Sequence, residues 1–218
     1  ESSLGRRVPW GFAGHQLYLV PAAFEEANAF YAEEDQAIYF GYVTTPAGRI
    51  YTSLSHDIVA HETTHAILDG LRDRFDTPGL PDQAAFHEAF ADICALLSAF
   101  ALPDLVETLL GQVAPGGWIT EAQVQPERLG RVLGSLAEQI GQYVDGDTHA
   151  EGLRHSYDLF ERPPARWRER EEFLEPHRRG EILVAAVMGA LVGLWRRRLD
   201  PLVREGKLNR ARPAEEGA

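Results

Sequence analysis

His61, Glu62 and His65 have the types and spacing for metal chemistry. They form the pattern H-E-x-x-H inside Ser55 to Gly70, a stretch that reads as a helix. Residues four apart in an α-helix differ by about 40° around the axis, so His61 and His65 share one face. Two imidazoles stacked that way suit a single zinc ion, with Glu62 beside them to take a proton from a metal-activated water. Glu88 and Asp92, also four apart, are set into a following run rich in Ala84, Ala85, Phe86, Ala89, Phe90, Ile93 and Leu96. A carboxylate buried without a partner costs several kcal/mol or shifts its pKa. A metal and its ligating histidine would satisfy both.

Helices and strands must deliver these side chains. The first motif helix is expected to start near Ser55 as N-cap, with Asp57 in the first turn, and to run at least to Asp69, with Gly70 as a stop. Thr77-Pro78-Gly79-Leu80-Pro81 breaks the chain, and a second helix is expected from Asp82 to about Leu102, stopped by Pro103. Upstream, Gln16 to Val20 is a strand candidate closed by Pro21, and Ala23 to Ala32 has helical composition. Ala37 to Val43 has the aromatic and β-branched content of a strand. Thr44 to Gly48 reads as a turn and Arg49 to Leu54 as extended chain. Downstream, Glu127 to Val144 has helical periodicity and Gly146 to Gly152 reads as a loop. Glu161 to Glu181 reads as exposed irregular structure or a short solvated helix, and Gly180 to Leu199 as a strong helix.

The pair of motifs Asp57-Ile58-Val59-Ala60-His61-Glu62-Thr63-Thr64-His65-Ala66 and Phe86-His87-Glu88-Ala89-Phe90-Ala91-Asp92-Ile93 resembles the thermolysin-like zinc metallopeptidases, the gluzincins. The resemblance implies His61, His65 and Glu88 as ligands of one Zn2+ and Glu62 as general base. It implies Asp92 as the carboxylate orienting a zinc histidine, and leaves the fourth metal position for water. Asn28-Ala29-Phe30-Tyr31 resembles the family's substrate-binding edge strand, in which the Asn28 side chain and the Ala29 backbone hold the peptide. Leu153-Arg154 resembles the segment carrying a substrate-binding arginine, and His177 is placed like the histidine that stabilises the tetrahedral intermediate. His87 stands where the family has an asparagine orienting the second zinc histidine. An acidic calcium-binding position falls on Ala99, so structural calcium is not expected, and no residue matches the family's oxyanion-supporting tyrosine.

The expected fold class is α+β, a thermolysin-like two-lobe zincin. Residues 1–102 would form an N-terminal α/β lobe with the zinc-binding helices and 103–204 a helical C-terminal lobe, with 205–218 a disordered tail. A formal charge of −12 over 218 residues, with pI near 5.1, argues against nucleic acid or anionic membranes as partners. The longest apolar run, Ile182 to Trp195, is short for a membrane span and reads as a buried core helix. Cys94 is the single cysteine, so an internal disulfide is excluded. The chain begins Glu1-Ser2-Ser3, as expected of a trimmed or processed start, and neither compartment nor oligomeric state is legible. The expected activity is peptide-bond hydrolysis, most simply by an endopeptidase acting on peptide or protein substrates. Two other readings stay open: a zinc-binding module that no longer hydrolyses, and a hydrolase restricted to one partner or to a non-peptide amide.

Overall fold

The computed structural model describes residues 5–72, 79–104 and 166–204. These form an α+β arrangement: a small sheet, then three helices. The strands are β1 (Tyr18–Phe24), β2 (Ala29–Ala32), β3 (Ala37–Thr45) and β4 (Gly48–Tyr51), and the helices are α1 (His56–Leu71), α2 (Pro81–Phe100) and α3 (Pro176–Arg204). β3 is central. β1 pairs with it in parallel, with Tyr18 opposite Ala37 and Val20 opposite Tyr39, while β2 pairs antiparallel, with Ala29 opposite Phe40. β4 follows β3 through a tight hairpin that sets Thr45 opposite Gly48.

Two expectations about this sheet are corrected. Pro21 does not close β1, which continues to Phe24. It sits where the register with β3 shifts, on an edge strand, where a residue without an N–H is tolerated. The helix expected over Ala23 to Ala32 is absent; the end of β1, a short loop and β2 take its place. Helix-favouring alanine and glutamate are overruled by cross-strand packing, as Phe30 stacks on Tyr39 at 5.2 Å and on Phe24 at 5.7 Å. The extended stretch expected to Leu54 ends at Tyr51, and Thr52–Leu54 is a 3-10 turn. Thr52 Oγ1 donates to the Gly41 and Asn28 carbonyl oxygens, pinning that turn to the sheet just before α1.

Ser55 stands at the N-cap of α1, but its hydroxyl meets the Asp57 carboxylate rather than a backbone N–H. The inner face of α1 contributes Ile58 and Val59 to a core with Ala29, Ile38 and Phe40. α2 starts with Pro81 at its first turn, where a missing N–H costs nothing. Its Ala89, Ile93 and Leu96 pack against Val184, Met188 and Val192 of α3. Each larger apolar side chain so buried contributes roughly 1.5–3 kcal/mol, which helps offset placing His87, Glu88 and Asp92 in the interior.

α3 begins at Pro176 and runs to Arg204, so the strong helix expected over Gly180 to Leu199 is longer at both ends. The segment read as exposed and irregular before it contains two 3-10 turns, Trp167–Glu169 and Glu171–Leu174, and Phe173 there is fully buried. Phe173 is gripped edge-on by Trp167, and Arg179 bridges the Phe173 carbonyl oxygen and the Asp82 carboxylate. An apolar anchor hidden among charges explains the misreading. None of the described helices is long and apolar enough to cross a membrane. The helix expected over Glu127 to Val144, the Gly146–Gly152 loop, Arg154 and the tail from 205 lie outside the described residues.

Candidate metal centre

α1 and α2 lie side by side and turn their polar faces toward one another. His61 and His65 project from α1, and Glu88 and Asp92 from α2. His61 Nε2 lies 3.4 Å from Glu88 Oε2, His65 Nε2 lies 3.6 Å from the same oxygen, and the two Nε2 atoms are 2.9 Å apart. Nitrogen ligands 2.0–2.1 Å from a tetrahedral zinc would stand roughly 3.3 Å from one another. The three donors, 2.9–3.6 Å apart, are close to that spacing, and a small adjustment of the two imidazoles would fit them to one ion. Glu88 Oε2 is buried without a completed hydrogen bond, although imidazoles surround it. An acceptor so placed suits a positive partner, a protonated imidazole or a cation.

The histidines are held from behind. His61 Nδ1 donates to Asp92 Oδ1 at 2.9 Å, which fixes its tautomer and directs Nε2 toward Glu88. His65 Nδ1 meets His87 Nδ1 at 2.6 Å, with the two ring planes within 5° of parallel. Asp69, one turn beyond His65 on α1, faces His87 Nε2 at 3.8 Å. Glu62 follows His61 on α1 and is buried, 3% exposed, with its charge felt by the His61 imidazole.

His177, in the first turn of α3, reaches back to the same place: its Nε2 lies 3.1 Å from Glu88 Oε2. Glu175 holds it there, accepting from His177 Nδ1 at 2.7 Å and from the Arg178 backbone N–H at 2.7 Å, so it also caps α3. Gly180 makes this approach possible. A Cβ at that position would lie 2.8 Å from the Ala85 carbonyl oxygen, so any other residue would push α3 off α2.

The electrostatics follow from this crowding. Burial alone would raise the Glu88 carboxyl; His177, His61 and His65 outweigh it and hold Glu88 far below the usual carboxylate range. Burial opposes a charged His61, yet Asp92 and Glu88 push its pKa well above that of ordinary histidine. At His65 burial prevails, aided by the charge of His61, and the pKa falls. Burial also opposes a charged His177, but Glu88 and Glu175 raise it to about 9. Positive charge carried on protons thus balances the buried carboxylates where a divalent ion would do so.

Of the residues singled out from the sequence, the structure brings His61, His65, Glu88, Asp92, His87, Glu62 and His177 into one cluster between α1, α2 and the start of α3. Asn28 and Ala29 are not among these contacts; they stand at the start of β2, an edge strand whose Ala29 shares a core with Ile58 and Val59 of α1. Asn28 Oδ1 accepts the Ala29 N–H at 2.7 Å, and the Asn28 carbonyl accepts the Gly41 N–H. Cys94 is half-buried, and burial pushes its thiol pKa up. Two contributors went unread in the sequence, Asp69 and Glu175. Asp69 had a signal, its four-residue spacing from His65; Glu175 had a weaker one, an acid immediately before a helix-opening proline. No family model, curated protein or solved structure matches the chain.

Proposed function

We propose that the chain is a zinc-dependent peptidase of thermolysin-like type, most simply an endopeptidase, with the cluster between α1 and α2 as its active site. The observation that supports this best is the convergence of His61 Nε2, His65 Nε2 and Glu88 Oε2, with all three ligand atoms within 4.8 Å of one another. The two-lobe zincin fold is part of the same reading, with α3 belonging to the helical lobe. His61, His65 and Glu88 would hold one zinc ion, and Asp92 keeps His61 in the tautomer that ligation needs. Bound there, zinc supplies a Lewis acid for the scissile carbonyl and lowers the pKa of water. Glu62 takes the proton from the attacking water and delivers it to the leaving amine.

His177, protonated and fixed by Glu175, donates a hydrogen bond to the developing oxyanion; such a contact is worth on the order of 3 kcal/mol. The substrate lies extended along the outer edge of β2, adding a strand to the sheet. The Asn28 amide oxygen is already engaged by Ala29, so Asn28 meets the substrate as a donor through Nδ2.

The test is hydrolysis of casein and of a peptide library by the purified chain, with and without a chelator, beside Glu62→Gln. Chelator-sensitive cleavage is expected, and E62Q should retain zinc while losing hydrolysis by at least about 100-fold. Full activity in E62Q overturns the mechanism. Stoichiometric zinc without cleavage of any substrate overturns the general peptidase and leaves a zinc-binding module or a hydrolase restricted to one partner or to a non-peptide amide.

A further inference from the structure

Two buried groups near the cluster have no part in the chemistry above: Asp69 and the far side of the His87 ring. Asp69 is 5% exposed, and its Oδ1 has no hydrogen bond. The fold goes to some length to seal it. The chain at Pro9 to Gly11 crosses the end of α1 so closely that a Cβ on Gly11 would lie 2.9 Å from the Asp69 Cβ, and one on Gly70 would lie 1.8 Å from the Pro9 carbonyl oxygen. A carboxylate walled off in this way is costly unless something uses its charge.

The neighbouring contacts say what does. Two neutral imidazoles meeting Nδ1 to Nδ1 at 2.6 Å need one donor and one acceptor. If His65 turns the lone pair of Nε2 toward a metal, its proton sits on Nδ1, so His65 donates. His87 must then accept on Nδ1 and carry its own proton on Nε2, the atom that faces Asp69 Oδ1 at 3.8 Å. A shift of roughly 0.8 Å brings that pair into hydrogen-bond range.

We propose that Asp69 and His87 form a positioning relay for His65: the Asp69 carboxylate fixes the His87 tautomer, and His87 fixes that of His65. This rests on the zinc reading above. It gives the two metal-facing imidazoles different supports, since His61 has a carboxylate directly behind it and His65 has one behind an intervening imidazole. Neither Asp69 nor His87 is a catalytic residue, because neither touches a reacting atom.

The experiment is zinc affinity measured by competition with a chromogenic chelator. The proteins are the full chain, Asp69→Asn, His87→Ala, the double variant and His87→Asn, with circular dichroism verifying that each folds. D69N is expected to weaken zinc about 10- to 100-fold, as removal of such a supporting partner does. H87A should weaken it at least as much, and the double variant should match H87A alone, because the carboxylate acts only through His87. H87N, whose amide oxygen can accept from His65 Nδ1, should restore much of the affinity. Long-range 15N NMR of the zinc-loaded chain should find the His87 proton on Nε2. A D69N variant that binds zinc as the unmodified chain does, a double variant that multiplies the two losses, or a His87 proton on Nδ1 each overturns the relay while leaving the zinc site intact. Failure of the unmodified chain to bind stoichiometric zinc overturns the metal reading itself, and the relay with it.

Discussion

His61 and His65 lie one turn apart on the same face, yet they hold protons very differently. Asp92 and Glu88 overcome burial at His61 and raise its pKa well above the ordinary value, whereas burial dominates at His65 and lowers it. A metal entering the cluster must therefore displace a proton from His61 across the neutral range, and none from His65. Zinc affinity is expected to rise about tenfold per pH unit through neutrality and to level off once His61 has lost its proton. Chelator-competition titrations at several pH values measure this, and an affinity flat between pH 6 and pH 8 would contradict it. At this scale much was legible in advance. A four-residue spacing announces a shared helix face whichever residues occupy it, so His61 with His65 and Glu88 with Asp92 could be paired from the sequence. Asp69 has the same spacing from His65, but its meaning depends on His87 reaching it from another helix.

Among the elements, the junction of α2 with α3 matters most, because it sets His177 against Glu88. Gly180 packs directly on α2, where a Cβ would lie 2.8 Å from the Ala85 carbonyl oxygen and 3.2 Å from the Ala89 nitrogen. Gly180→Ala is therefore expected to lower stability by about 1–3 kcal/mol, since backbone rather than a flexible side chain must move. Denaturant unfolding measures the loss; an unchanged or higher midpoint would show that the helices are less closely apposed. The same junction makes the metal-free protein sensitive to alkali. His177 has a folded-state pKa of about 9 against 6.5 for free histidine. Its contribution to stability is then fully present below about pH 6.5 and is lost as pH rises through 9. Thermal melts of chelator-treated protein should fall over that interval, and His177→Ala should remove the fall. Helices were legible here because periodicity is a local signal, whereas composition alone misread β2 as helix. The edge strand was legible only through the family resemblance carried by Asn28-Ala29-Phe30-Tyr31, because pairing with β3 overrides the helical composition of its neighbourhood.

Over the whole molecule, the cluster lies between two separate apolar cores, one joining the sheet to α1 and the other joining α2 to α3. This arrangement allows a polar seam inside a small protein, since each helix is anchored by one face and presents another to the seam. The parallel pairing of β1 with β3 and the burial of Phe173 were not legible, because both depend on contacts between segments distant in sequence or hidden among charges. On the metal reading, one zinc ion sits on His61, His65 and Glu88. X-ray absorption at the zinc edge of the metal-loaded chain tests it most directly. The expected result is one zinc per chain with two imidazoles and oxygen donors at roughly 2.0–2.2 Å. A shell lacking imidazole, or one containing sulfur at about 2.3 Å, would contradict it.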